Sequence, residues 1–380
     1  MGPLEGLRVI EIAGIGPGPF CAMLLADMGA DVIRVDRLDS GGNPLERPPR
    51  YQVMHRNRRS IAADLKHPDA ISAIHKMCAT ADALLEGFRP GVMERLGLGP
   101  DDCTRANPRL VYGRMTGYGQ DGPMASRAGH DINYIALSGV LGMLGRSGER
   151  PAPPLNIIGD MGGGGLLLAF GIVCALLEAQ RSGRGQVVDA SMVEGAALMA
   201  STVYELRAAG WWSERRGSNV LDSGAPFYEV YATADGGFMA VGAIEPQFYA
   251  ALLDGLGLDP AQLPAQLDRS AWPQLKERFA GIFRTRTRAE WSATFAGTDA
   301  CVSQVLTLAE AALHPHNTER RAFLQPDGVL QAAPAPRFSR SRPELRLPPP
   351  EPGEHTEAVL GEFGFGPEEI AALRRAGAIA

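Results

Sequence analysis

Excess positive charge is missing from this 380-residue chain, whose formal net charge is −6. A general nucleic-acid binder needs clustered Lys and Arg against the phosphates, so the balance argues against that class, and an anionic ligand must be met by a local patch. Paired cysteines are missing too. Cys21, Cys78, Cys103, Cys174 and Cys301 are scattered with no C-x-x-C spacing, which reads as buried thiols in a reducing compartment. No apolar run free of charge reaches the roughly 18 residues of a membrane span. The opening Met1-Gly2-Pro3-Leu4-Glu5-Gly6 has no signal-peptide core, and Pro3 and Gly6 do not fit a myristoylation pattern. His314-Pro315-His316 has no third ligand in evidence, so no metal site is expected. No internal repeat is visible. Together these absences predict a cytoplasmic protein, with a bacterial cytoplasm suiting its Ala-, Arg- and Gly-rich composition.

What is present is ordinary globular material, 45% hydrophobic and 21% charged. A single core stops growing near ~250–300 residues, so about two domains are expected. The start reads β-α-β: strand Leu7–Ile12, a turn Gly14-Ile15-Gly16-Pro17-Gly18-Pro19, helix Phe20–Met28, then strand Asp31–Asp36. A helix over Pro68–Ala79 and strands Ala83–Glu86 and Leu110–Thr116 continue the alternation, which implies a parallel sheet covered on both faces. A helical stripe runs from Ile132 to Leu144, and Leu166–Gln180 is apolar nearly all round, as a buried helix would be. Phe227–Ala232 and Phe238–Ala243 flank Ala234-Asp235-Gly236-Gly237, a hairpin signal. Pro334–Pro352 suits an extended strap, and Pro367–Ala376 a final helix.

Gly14-x-Gly16-x-Gly18 followed by Asp36 invites a nicotinamide-dinucleotide reading. The last glycine of G-x-G-x-x-G is displaced, however, and two prolines remove N–H groups that should hold a pyrophosphate. A tight βα turn with close helix–strand packing is the preferred reading. The basic residues Arg37, Arg56, Arg58, Arg59, Lys66 and Arg89 recur near predicted strand ends, where the phosphates of a nucleotide such as coenzyme A could pair with them.

Two segments could carry chemistry: Ala128-Gly129-His130-Asp131-Ile132-Asn133-Tyr134, and Asn156-Ile157-Ile158-Gly159-Asp160 followed by Gly162–Gly165. Taken singly, Asp160 reads as an N-cap and His130 as a structural residue. Four glycines opening a helix are costly, at ~1 kcal/mol each against alanine, and make more sense where backbone and ligand approach closely. Removing a proton α to a thioester needs a positioned base and stabilisation of the enolate oxygen. A helix N-terminus offers donors for that oxygen, and inversion needs an acid on the opposite face. One His and one Asp meet that need without metal or flavin.

The Gly129–Tyr134 motif with Asp160 resembles that of the α-methylacyl-CoA racemases, within the family III CoA-transferase superfamily. Ile15–Pro19, Asp64-Leu65-Lys66, Arg114–Gln120, Gly183–Ala190, Gly224–Tyr228, Val241–Tyr249, Thr298–Val302 and Gly353–Thr356 match as well, so the resemblance covers nearly the whole chain. It departs after Val302, where Ser303-Gln304 replaces a frequent threonine–proline pair. The resemblance implies His130 and Asp160 as the acid/base pair, with Asp131, Asn156 and Glu245 in support. It implies coenzyme A contacts from Arg37, Ala63, Asp64, Leu65, Lys66, Gly129 and Tyr134, to which Arg56 and Arg89 are added as basic neighbours.

The resemblance also implies an α/β fold: a large Rossmann-like domain over 1–190 completed by 330–380, a linker helix over 191–224, a small α+β domain over 225–315 and a return linker over 316–329. Two chains would interlock as a homodimer with shared active sites. The substrate would be an acyl-CoA thioester, coenzyme A being part of it, with no separate cofactor, nucleic acid or membrane partner. Three alternatives stand beside racemisation: a CoA-transferase of the same superfamily using Asp160 as nucleophile, an NAD-dependent oxidoreductase, and a non-catalytic CoA-binding protein. Transferases generally lack a histidine at the position of His130. Some of the 13 methionines would line a pliable acyl pocket.

Overall fold

The computed structural model describes residues 2–38 and 47–380. They divide into two compact units: Met1–Ser138, Pro154–Met199 and Arg321–Ala380 form the first, Gly139–Pro153 and Ala200–Arg320 the second.

The first unit is built on six strands: β1 (Arg8–Ile12), β2 (Asp31–Asp36), β3 (Arg58–Ala62), β4 (Ala83–Glu86), β5 (Val111–Thr116) and β6 (Val187–Ser191). They lie in the order β3-β2-β1-β4-β5-β6 with every pair parallel. Successive side chains point to opposite faces, and here both faces are covered. Ile10, Ile33 and Leu84 enter one core with Ile74 of the helix Pro68–Cys78 and with Val359 and Ile370 near the C-terminus. Val9, Val32 and Leu85 enter the other with Cys21 and Leu25 of the helix Pro17–Asp27 and with Leu168 and Ile172. Two buried faces explain why these strands read as near-continuous apolar runs rather than alternating ones. The order reverses between β1 and β4, and in such sheets that crevice outside the carboxyl ends is where ligands bind.

One helical stretch, Ile157–Ser182, has the length and composition of a membrane crossing. Its residues Leu168, Ala169, Ile172, Ala175, Leu176 and Ala179 are instead buried in the core. The expectation of burial all round is corrected, because Leu166, Phe170, Val173 and Leu177 on another face are 38–66% exposed in the single chain. Cys174 and Cys301 are exposed as well, so only three of the five thiols are buried.

The strap sequence 334–352 runs without regular structure. Asn57 pins it, donating to the Glu344 carbonyl at 2.9 Å and accepting from the Arg346 N–H at 2.6 Å.

In the second unit, β7 (Tyr228–Ala232), β8 (Phe238–Gly242) and β9 (Val302–Gln304) form an antiparallel sheet, and Gly236 takes a left-handed φ of 77° in the β7–β8 turn. Phe227, Tyr231, Trp272, Phe279, Phe283 and Trp291 fill its core. Segment 139–153, expected within the large domain, belongs here. The helical stripe over Ile132–Leu144 is interrupted at Gly139, whose φ is 85°. Beyond it Arg146 pairs with Glu229, and Arg216 donates to the Gly142 and Glu149 carbonyls.

Candidate active site

A cleft of about 880 Å³ opens at the carboxyl ends of β1, β4 and β5. The Gly14–Pro19 turn after β1, Gly87–Pro90 after β4 and Thr116–Tyr118 after β5 form its walls, and His130, Tyr134, Asn156 and Asp160 line it.

His130 is the extended residue (φ −133°, ψ 173°) preceding the helix Asp131–Leu137. Its backbone N–H donates to Asn133 Oδ1 at 3.0 Å, which fixes the helix start, while its side chain is left exposed on the cleft. Tyr134 packs edge-on against Tyr118 at 5.0 Å and donates from its hydroxyl to the Gly129 carbonyl. A Cβ at Gly129 would stand 2.7 Å from the Tyr134 ring, so a side chain there would push the His130 loop away.

Asp160 is not an N-cap. It lies inside a π-helical stretch, Ile157–Leu166, whose cap position is Asn156. The Asn156 amide donates to Asp160 Oδ2 at 3.0 Å, and the Asp160 backbone N–H donates to Asp131 Oδ2 at 2.7 Å. Asp131, next in sequence to His130, therefore ties the two catalytic candidates together from a buried position, with its Oδ1 left without a hydrogen-bond partner among the described residues. Burial raises the Asp160 carboxyl above its ordinary value; the Asp131 charge adds to this, while Asn156 and His130 act the other way. A carboxylate of this kind is a better proton acceptor than an exposed one.

The glycines after Asp160 serve backbone approach. A Cβ at Gly163 would lie 2.6 Å from the Ala196 nitrogen, and one at Gly165 2.6 Å from the Pro17 carbonyl. The Gly14–Pro19 turn, read as simple packing, also reaches the site. Gly16 has φ 68°, and a Cβ there would stand 3.3 Å from Asp160 Oδ2.

The expected phosphate contacts divide. Arg89 lines the cleft. Arg37 is exposed just past β2 and is outside the lining, as are Ala63, Asp64, Leu65 and Lys66. In that stretch the Lys66 N–H donates to Asp64 Oδ1, and the Asp64 N–H donates to the Ala378 carbonyl, both at 2.9 Å. Arg56 is corrected. It is 3% exposed and fully engaged with Asp27, Gln331 and the Ala332 carbonyl, so no fork remains for a phosphate. Its neighbours are unavailable too: Arg58 is wholly buried beside Glu11, and Arg59 pairs with Asp31 and Glu362. Glu245 belongs to the second unit, exposed at the start of the helix Pro246–Gly255.

Tyr118 falls in the matching stretch Arg114–Gln120, and Met115 and Met192 are two of the methionines considered as pocket lining, but Arg47, His55, Phe88 and Arg127 escaped the sequence reading. Arg127 alone had a signal, three residues before His130. Burial, with Arg34 and Arg58 nearby, pushes His55 down to about 2, so this wall presents a neutral imidazole.

A Rossmann-like sheet with a carboxylate–imidazole pair in its carboxyl-end crevice defines an α/β enzyme scaffold, and comparison narrows the class. The chain belongs to CoA-transferase family III, whose model matches residues 4–356. Within it, the chain is 53% identical over 373 residues to the alpha-methylacyl-CoA racemase of Mus musculus, covering 97% of this chain and 96% of that one. Identity to the alpha-methylacyl-CoA racemase of Homo sapiens is 50% over 379 residues, covering 97% and 95%. A succinyl-CoA–D-citramalate CoA-transferase of Chloroflexus aurantiacus is 30% identical, with coverage of 98% and 97%. The crystal structure of a CaiB/BaiF family protein from Brucella suis superposes with a TM-score of 0.82 at 25% identity, covering 95% of this chain and 99% of that one.

Proposed function

We propose that this chain racemises 2-methylacyl-CoA thioesters, with His130 and Asp160 as its two acid/base groups. The observation that carries the reading is their joint presence in one cleft, in a chain about half identical to two named racemases. In one direction neutral His130 takes the α-proton, the electron pair moves onto the thioester oxygen as an enolate, and protonated Asp160 returns a proton to the opposite face. In the other direction the roles exchange. Asn156 and Asp131 act on Asp160 by holding its carboxylate and its backbone. Coenzyme A is the handle of the substrate, for which Arg89, Gly129 and Tyr134 offer contacts, and no separate cofactor is required. Arg37 and Ala63–Lys66 serve the same handle if it extends past β2 and β3.

The test is incubation of one enantiomer in D₂O without NAD, metal or acceptor acid. The expected result is α-deuterium incorporation and both enantiomers. Transfer of coenzyme A to a second acid without α-exchange would replace this reading with acyl transfer through Asp160. The exposed side chains Leu166, Phe170, Val173 and Leu177 recur at helical spacing, and a stripe of this kind favours a second copy of the chain as its cover. In the resulting homodimer, the partner's Glu245 would complete each site.

A further inference from the structure

Arg114 and Glu86 take no part in the chemistry above, yet both are charged and buried, at 8% and 1% exposure. They stand opposite one another in the β4–β5 register. Arg114 Nε donates to Glu86 Oε1 at 3.2 Å, while its Nη1 and Nη2 donate to Glu94 Oε1 and Oε2 at 2.8 and 3.3 Å. Glu86 ends β4, and Glu94 lies in the short helix Val92–Arg95. Between them runs Gly87-Phe88-Arg89-Pro90, all of it lining the cleft. Glu86 also accepts the Phe88 N–H through Oε2 at 2.7 Å. One guanidinium thus grips both feet of the cleft-lining loop. Arginine suits this because its planar fork can serve two carboxylates at once, which an ammonium cannot do with fixed geometry.

We infer that Arg114 is a positioning residue: it clamps Glu86 to Glu94 and thereby sets Arg89 for the acyl-CoA. This rests on the reading that the cleft takes an acyl-CoA. Burial pushes Glu86 up to about 7, against the pull of the Phe88 N–H and Arg114, and the Glu94 charge adds to the rise. Without the guanidinium the carboxyl would have no charged partner.

The test uses Arg114→Lys, which keeps the charge, and Glu94→Gln, whose side chain is 44% exposed and tolerant of change. Binding of free coenzyme A is measured by calorimetry beside kcat and KM, after thermal melts show both variants folded. The expected result is binding weakened about 3- to 30-fold, inside the roughly 2- to 160-fold span of coupled neighbours, with KM rising in parallel and kcat within about 2-fold. In an Arg89→Ala background, Glu94→Gln should add almost nothing, because the group being positioned is gone. Unchanged coenzyme A affinity in both folded variants, or an equal further loss in that background, overturns the clamp. Absence of α-exchange in the wild type would sink the racemase reading separately, since binding of coenzyme A does not depend on turnover.

Discussion

The two halves of Ile157–Ser182 share one helix axis and almost nothing else. The first, Ile157–Leu166, is π-helical and glycine-rich, with its backbone pressed onto the Pro17 and Ala196 regions. The second, Leu167–Ser182, is α-helical, with one apolar face in the sheet core and another exposed. Removing side chains lets a backbone carry a carboxylate into a crowded crevice; adding large apolar ones builds a surface that needs a cover. On the proposed reading, chemistry and association would fall to successive halves of a single element.

The sharpest test of that division is Asp160→Ala in the first half. Loss of a positioned acid or base should lower racemisation by roughly 10²–10⁴-fold, with the fold intact by circular dichroism and the sedimentation behaviour unchanged. His130→Ala should match it. Near-normal turnover in either variant would remove that residue from the mechanism.

In the second half, Phe170→Asp with Leu177→Asp should leave the site residues intact and weaken self-association. Burying each such side chain is worth ~1.5–3 kcal/mol, so the dissociation constant of the dimer should rise by about 100-fold or more, read by analytical ultracentrifugation across concentration. A wild type that sediments as a monomer throughout would show that the stripe has no such cover.

Gly165→Ala should give a smaller, purely steric effect. The new Cβ would lie 2.6 Å from the Pro17 carbonyl, a backbone atom that cannot simply rotate away. Overpacking of this kind costs about 1–3 kcal/mol, seen as a lower urea midpoint. An unchanged midpoint would mean that the two helices part at little cost.

This contrast was half visible in the sequence. The glycine run marked the first half because glycine is so poor a helix former that four together need a reason. The second half looked buried because apolar residues occur all round it, and composition does not distinguish a core from an uncovered face. Strands such as Asp31–Asp36 were legible because short apolar runs ended at glycine or charge. The break at Gly139 was not, since apolar residues on either side kept helical spacing across it. The arginines failed for a related reason. Arg56, Arg58 and Arg59 are near one another in sequence, but each meets a carboxylate from a distant segment, Asp27, Glu11 and Asp31 with Glu362. Positive charge is readable in one dimension; the partner that consumes it is set by the fold. The meeting of His130 and Asp160 in one cleft depends on long-range folding, which no local pattern contains.

The smallest expected effect separates charge from scaffold within the first half. Asp131→Asn keeps an oxygen able to accept the Asp160 N–H but removes the negative charge that helps raise the Asp160 carboxyl. When Asp160 is the base, turnover rises as it loses its proton, so the acid limb of kcat/KM for that enantiomer should lie above the range of an ordinary carboxylate. In the variant that limb should move to lower pH. Stability should follow the same sign. Between the ordinary carboxyl value and the raised one, native Asp160 holds a proton that the unfolded chain has released, so wild-type stability falls as pH rises through that window. Asp131→Asn should flatten this fall, as measured by urea unfolding at several pH values. A limb that stays in place while activity drops would make Asp131 a scaffold for the Asp160 backbone alone.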